Sequence, residues 1–258
     1  MSLKSKMIKF WTMFESWIFT NHGCLSCRRE IPDGSDFSLC EDCMNCLDEI
    51  SGNMCKICGE EILENNILCD KCKNIKFNFD SSKSFAYYGD VASNIVKRFK
   101  YNSKKYYAEY IAKLMAKNKE YFDGVDYLTF VPIDDKRRKD RGFNQAEEIA
   151  ICLGRFLDIP VMDILKKSGG KRHQAGLTQK ERQENLAGTI SLLENISENL
   201  RNKVVMIIDD VFTTGSTLSE CARVIKSARS NKPGKVLCYT FAKTIFNSTN
   251  NSQNQQNN

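Results

Sequence analysis

Asp209 and Asp210 close an unbroken apolar run, Val204-Val-Met-Ile-Ile208, and Val211-Phe-Thr-Thr-Gly-Ser-Thr217 follows them. The run reads as a central parallel strand, buried on both faces. Open α/β sheets bind ligands at the carboxyl ends of such strands. Leu218–Ala228 has helical spacing, so a helix starts near Ser216 and aims its first backbone N–H groups into the turn, where they favour an anion. Thr213, Thr214, Ser216 and Thr217 add hydroxyl donors, and Gly215 lets the backbone approach a ligand closely. That set suits a phosphate. The paired carboxylates suit neighbouring sugar hydroxyls, directly or with Mg²⁺ beside them. No GxxxxGK[ST] is present, so this is not a triphosphate P-loop. A simple Ser/Thr helix cap would explain Ser216 or Thr217. It would not explain an acid pair at the end of a buried strand.

A second chemistry lies near the N-terminus. Nine of the 12 cysteines fall in Cys24–Cys72. Cys24-x2-Cys27 and Cys40-x2-Cys43 are separated by twelve residues, and Cys55-x2-Cys58 and Cys69-x2-Cys72 by ten. Two thiolates two residues apart grip one ion, and two such knuckles supply the closed tetrahedron of structural Zn²⁺. The ion stabilises a segment too poor in apolar residues to fold alone. Cys46 and His22 are further candidate ligands for the first site. Gly59 follows the third knuckle, where a turn would use positive φ. A four-sulfur site keeps no open position for catalysis. Cys152, Cys221 and Cys238 lie in helix or strand patterns and read as small core residues.

The elements that position these groups alternate. Phe85–Tyr88, Tyr127–Ile133, Val161–Leu165, Val204–Asp209 and Val236–Phe241 read as strands. Val91–Phe99, Tyr107–Met115, Asn144–Leu157 and Leu218–Ala228 read as helices. Alternation implies an α/β fold with a parallel sheet flanked by helices. The expected organisation is an amphipathic helix over residues 1–21, a cysteine-rich double zinc-ribbon module over 22–80, an α/β domain over 81–246, and a disordered Asn/Gln-rich tail over 247–258. Residues 1–80 carry 9 basic and 13 acidic side chains, net −4, and the remainder carries 29 and 19, net +10. The larger piece therefore favours anionic partners. The apolar stretch Ile8–Phe19 is interrupted by Lys9 and Glu15 and is too short to span a bilayer; it reads as a docking helix. Cysteines spaced in CxxC pairs, with no convincing signal peptide, point to a reduced, cytoplasmic, metal-binding protein.

Ile207–Thr217 resembles the 5-phosphoribosyl-1-pyrophosphate (PRPP) motif of type I phosphoribosyltransferases. Over residues 22–244 the chain resembles the ComF family, which joins an N-terminal cysteine zinc module to a phosphoribosyltransferase-like domain. Phe130-Val-Pro-Ile133, Arg141-Gly-Phe-Asn-Gln-Ala146, and Gln174-Ala-Gly-Leu177 with Arg182 and Asn185 match the family's further blocks, in order. The resemblance implies that Asp209 and Asp210 hold the ribose hydroxyls of PRPP. It implies that Val211, Thr213, Thr214, Gly215, Ser216 and Thr217 line the site and cradle the 5-phosphate, with Mg²⁺ accompanying the ligand. It places the pyrophosphate at the loop after Val131-Pro132, beside Arg137, Arg138 and Arg141, with Ser168–Gln179 as a mobile lid. Asp134-Asp135 departs from the less acidic family pattern and would weaken pyrophosphate attraction there.

Three functions follow from the resemblance. One is a competence factor that assists uptake and handling of single-stranded DNA, with a competence helicase among its partners. The second is an active phosphoribosyltransferase whose acceptor the residues do not name. The third is a PRPP-sensing scaffold without turnover. Lys136–Arg141 holds five cations in six residues, and Lys166, Lys167, Lys171, Arg172 and His173 form a second cluster; both suit pyrophosphate or DNA phosphates. Lys97, Arg98, Lys100, Lys104 and Lys105 interleave with Phe99, Tyr101, Tyr106 and Tyr107, a pattern that single-stranded DNA binding uses. A solvated helix face with inward rings is the favoured reading of that third cluster. His173 is the one histidine of the α/β part and reads as a surface residue. Transfer from PRPP rests on holding a developing ribosyl cation and its leaving group, so the lack of an obvious base decides nothing.

Overall fold

A computed structural model describes residues 23–31, 38–63, 65–101, 106–168, 188–194, 199–228 and 231–245. The expected N-terminal helix, the Asn/Gln tail, His22, and nearly all of the expected lid with its QAGL block lie outside the described residues.

Four parallel strands form the main sheet: β1 (Ser81–Tyr87), β2 (Tyr127–Phe130), β5 (Val204–Phe212) and β6 (Lys235–Lys243), in the order β1-β6-β5-β2. β5 is central, pairing Ile208 with Phe130 of β2 and with Tyr239 of β6. Its apolar run has Val205, Met206, Ile207 and Ile208 all buried, as a strand covered on both faces requires. Because every strand runs the same way, their carboxyl ends share one edge, where β5 delivers its acids.

Between the strands lie α3 (Asp90–Tyr101), α4 (Tyr106–Met115), α5 (Asp135–Arg141), α6 (Gln145–Leu157) and α7 (Ser216–Lys226). Helices α4 and α6 pack on each other, and α6 covers β2 and β5. α7 lies against β5, β6 and a small antiparallel ribbon made of β3 (Leu165–Lys167) and β4 (Ile190–Leu192). Cys152, Cys221 and Cys238 are buried in this core, as their patterns implied. Phe99 and Tyr107 are buried too, with ring centroids 6.3 Å apart, so these rings of the third cation cluster are core and not a stacking platform.

The strand limits differ from the sequence reading. β1 begins at Ser81, four residues before Phe85, and β6 runs from Lys235 to Lys243. β2 ends at Phe130, because Pro132 has no N–H to continue the ladder. Val161 makes only an isolated bridge to Leu128, and regular pairing resumes at Leu165 in a different, antiparallel partner. β5 continues through both acids to Phe212, held by Val211 opposite Ala242 and Phe212 opposite Lys243. No helix among the described residues is long and apolar enough to cross a membrane.

The cysteine-rich segment, with short helices α1 (Glu41–Asn45) and α2 (Asp70–Asn74), lies along the free edge of β1. Ile50 N donates to Phe85 O at 2.9 Å, Tyr87 N to Asp48 O at 2.8 Å, and Ser82 N to Ile57 O at 2.7 Å. These bonds satisfy an edge strand that would otherwise invite pairing with another chain. Gly59 has φ +65°, the conformation its place after the knuckle suggested. A Cβ there would also stand 2.6 Å from Ser82 O, so the ribbon backbone lies directly on β1.

Candidate PRPP-type site and zinc centres

The sulfurs of Cys24, Cys27, Cys40 and Cys43 lie within 4.8 Å of one another, as do those of Cys55, Cys58, Cys69 and Cys72. Cys27 and Cys40 Sγ are 3.6 Å apart, and Cys58 and Cys69 Sγ 3.5 Å. A tetrahedron with Zn–S near 2.3 Å places sulfurs roughly 3.8 Å apart, so both quartets fit Zn²⁺. Cys46 is exposed at the end of α1 and belongs to neither group.

At the carboxyl edge of the sheet, α7 opens with Gly215 as its N-cap, at φ +79°, and no side chain caps its first turn. Ser216 and Thr217 are therefore not the cap that the simpler reading required. Thr214 Oγ1 donates to Ser216 Oγ at 2.9 Å and accepts from Ser216 N at 3.3 Å, which folds the loop back on itself. A Cβ on Gly215 would lie 2.7 Å from the Phe212 ring, so glycine is required both for the turn and for the fit. The loop thus presents a helix N-terminus whose cap residue offers no side chain and whose Ser216 N meets only the long bond to Thr214 Oγ1, an arrangement that can receive a phosphate.

The two aspartates diverge. Successive strand residues project to opposite faces. Asp210 is buried and pairs with Lys100 Nζ of α3 at 2.6 Å. Asp209 is half-buried toward α7 and β3; its Oδ1 accepts from Asp210 N at 2.9 Å. Burial, reinforced by the Asp210 charge, pushes the Asp209 carboxyl up to about 8, against the pull of its backbone hydrogen bond and Lys100. Lys167 of β3 stands in the same field. Burial and then Arg137 hold its ammonium below the ordinary value, while Asp134, Cys221 and Asp209 favour its charge.

The arginines after β2 sit on a helix, α5, and not on an open loop. Asp134 caps that helix by accepting from Arg137 N at 2.9 Å, and its carboxylate also pairs with the Arg137 guanidinium at 3.5 Å. The acidic departure from the family pattern thus has a structural use. Arg137 joins the Asp134–Lys167–Asp209 cluster. Arg138 instead pairs with Glu147 at 2.7 Å, and Arg141 donates to Gln145 Oε1 at 3.0 Å. Asn144 of the RGFNQA block caps α6 through Ala146 N and donates to Val131 O at 2.9 Å, tying α6 to the end of β2. Sequence reasoning left Lys100 in a solvated helix face and Lys167 in a general basic cluster. Only the crossing of α3 and β3 over the sheet edge brings them to the acids.

A family model for the phosphoribosyl transferase domain matches residues 102–251, more than half of the chain, and a double zinc ribbon model matches residues 15–73. The chain is 28% identical to Competence protein F of Haemophilus influenzae over 81% of its own length and 92% of that protein. It is 26% identical to Competence protein ComFC of Bacillus subtilis, covering 81% and 85%. The chain belongs to the ComF family. This ComF protein is also 22% identical to DNA utilization protein YhgH of Escherichia coli, covering 78% and 89%. A hypoxanthine phosphoribosyltransferase from Staphylococcus aureus aligns with 55% of the ComF chain and 74% of its own, at 14% identity and TM-score 0.34.

Proposed function

We propose that this ComF protein binds PRPP with Mg²⁺ at Asp209–Thr217 and serves in the cytoplasm in the uptake and handling of single-stranded DNA. The observation that carries the ligand is the uncapped N-terminus of α7, reached through a glycine at φ +79° and preceded by two acids at the end of β5. The 5-phosphate would take the amides and hydroxyls of Thr213–Thr217. The ribose hydroxyls and Mg²⁺ would take Asp209 and Asp210, which requires Lys100 to yield its pairing with Asp210. Arg137 and Lys167 would meet the pyrophosphate from the facing side. The DNA role is supported by the names of the relatives and by the net +10 charge of residues 81–258. A helicase partner belongs to the same proposal.

Calorimetric titration of Mg²⁺–PRPP into the zinc-loaded chain tests it, with Asp209→Asn/Asp210→Asn beside the wild type. Binding by the wild type that the double variant loses is expected. A folded, zinc-loaded wild type that takes up no heat-detectable PRPP would remove the ligand from the proposal.

A further inference from the structure

The phosphate loop is braced from outside its own domain. Lys71 lies inside the last cysteine knuckle, between Cys69 and Cys72, and its Nζ donates to Thr214 O at 3.1 Å. Its ammonium stands 5.6 Å from the Phe77 ring centre and 5.8 Å from that of Phe212. Phe212 is the buried residue at which β5 gives way to the loop. On its ring sits Lys243 Nζ, 4.3 Å from the centroid. Lys243 has no exposed surface, and the same zinc ribbon holds it through Cys58 O at 2.8 Å and Glu60 at 3.1 Å. The segment leaving the ribbon then crosses to α7, where Asn78 N and Nδ2 both donate to Ser219 Oγ at 3.0 Å.

A trans peptide points its C=O and its N–H in opposite directions. A Thr214 carbonyl held toward the ribbon therefore turns the Gly215 N–H away from it, to the side where a phosphate would sit. We infer that Lys71 is a positioning residue of the phosphate loop: the second zinc ribbon, through the Lys71–Thr214 bond and the Phe77–Phe212 packing, fixes the Thr214–Gly215 peptide in its anion-receiving orientation. The inference rests on the reading of this loop as a phosphate site. Lys71 acts from behind the loop and touches no ligand. Zn²⁺ in the second quartet matters to the site because it fixes the knuckle that carries Lys71.

The test uses the full, zinc-loaded chain. Lys71→Met keeps an unbranched stem over both rings but donates no hydrogen bond, and Lys71→Arg keeps a donor. Hydrogen–deuterium exchange reads the loop without ligand. Faster exchange over residues 213–218 in Lys71→Met is expected, with wild-type rates in Lys71→Arg and in β2. Two zinc ions per chain are expected throughout. Calorimetry with Mg²⁺–PRPP should then show binding about tenfold weaker in Lys71→Met and restored in Lys71→Arg, the scale of one charge-assisted hydrogen bond. Wild-type exchange in Lys71→Met overturns the inference whether or not PRPP binds. Equal PRPP affinity in wild type and Lys71→Met overturns it while leaving the ligand intact. A wild type that binds no PRPP overturns the ligand, and the exchange rates alone then decide the positioning role. Lys71→Leu, which likewise donates no hydrogen bond, gives the same comparison if Lys71→Met loses zinc.

Discussion

The two cysteine quartets have nearly the same spacing and very different neighbours. The first ribbon meets the α/β body at α4: Arg28 brings its charge near Tyr106 and Tyr107, and Leu25, Leu39 and Leu47 are buried in the shared core. The stretch between the quartets adds the backbone bonds of Asp48 and Ile50 to β1 and an exposed pair, Glu49–Lys117, at 3.1 Å. The second ribbon reaches the centre. Its knuckles hold the buried Lys243, lie on β1 at Gly59, and donate to the phosphate loop through Lys71. Equal cysteine chemistry therefore serves unequal purposes. The first quartet packs beside α4, and the second lies on β1 and stands behind a binding loop.

The largest expected effect separates the two ions. Cys72→Ser should lose one zinc per chain and weaken Mg²⁺–PRPP binding by at least about tenfold, while Cys27→Ser loses one zinc and changes that affinity less than about threefold. Metal analysis with calorimetry checks both, and equal losses of affinity would erase the distinction. Next comes Phe212→Ala, which empties the ring site shared by Phe77, Phe79 and Lys243. It should cost about 3–5 kcal/mol in denaturant unfolding. A smaller, pH-dependent effect is expected at Asp209. Its folded carboxyl keeps a proton up to about pH 8, whereas the unfolded one releases it near 3.8. The folded state thus binds the extra proton between those values, and stability falls as pH rises through the window. Asp209→Asn removes that loss, so its melting temperature should gain on the wild type by more at pH 8.5 than at pH 5. The smallest effect belongs to the rim: Lys117→Ala should cost under about 1 kcal/mol, because its pair with Glu49 is exposed and screened. A cost matching that of Phe212→Ala would make the stretch between the quartets as integral as the second ribbon.

Much of this was legible in residue order. CxxC spacing is a local property of the chain, so both quartets could be read from sequence; Cys46, which makes a further CxxC with Cys43, stays an open candidate until the fold places it outside both groups. The apolar run before Asp209 and the glycine after Thr214 likewise carry their meaning locally. The divergence of Asp209 and Asp210 was within reach, because strand periodicity implies it once β5 is extended to Phe212. The β3–β4 ribbon was not, since arms of three residues are too short to show a period. The partners of the acids and of the loop were least legible of all. Lys100 meets Asp210 across 110 positions of chain, and Lys71 meets Thr214 across 143. Nothing in a lysine's immediate surroundings announces such a contact; it is made by the docking of one element on another.

The most direct test is a crystal structure of the zinc-loaded chain with Mg²⁺–PRPP. The account predicts the 5-phosphate within hydrogen-bond distance of the backbone N–H groups of Gly215–Thr217, the ribose against the acid pair, and Lys71 still on the Thr214 carbonyl behind them. PRPP bound elsewhere, or a phosphate held by this loop with the Thr214–Gly215 peptide turned the other way, would contradict it.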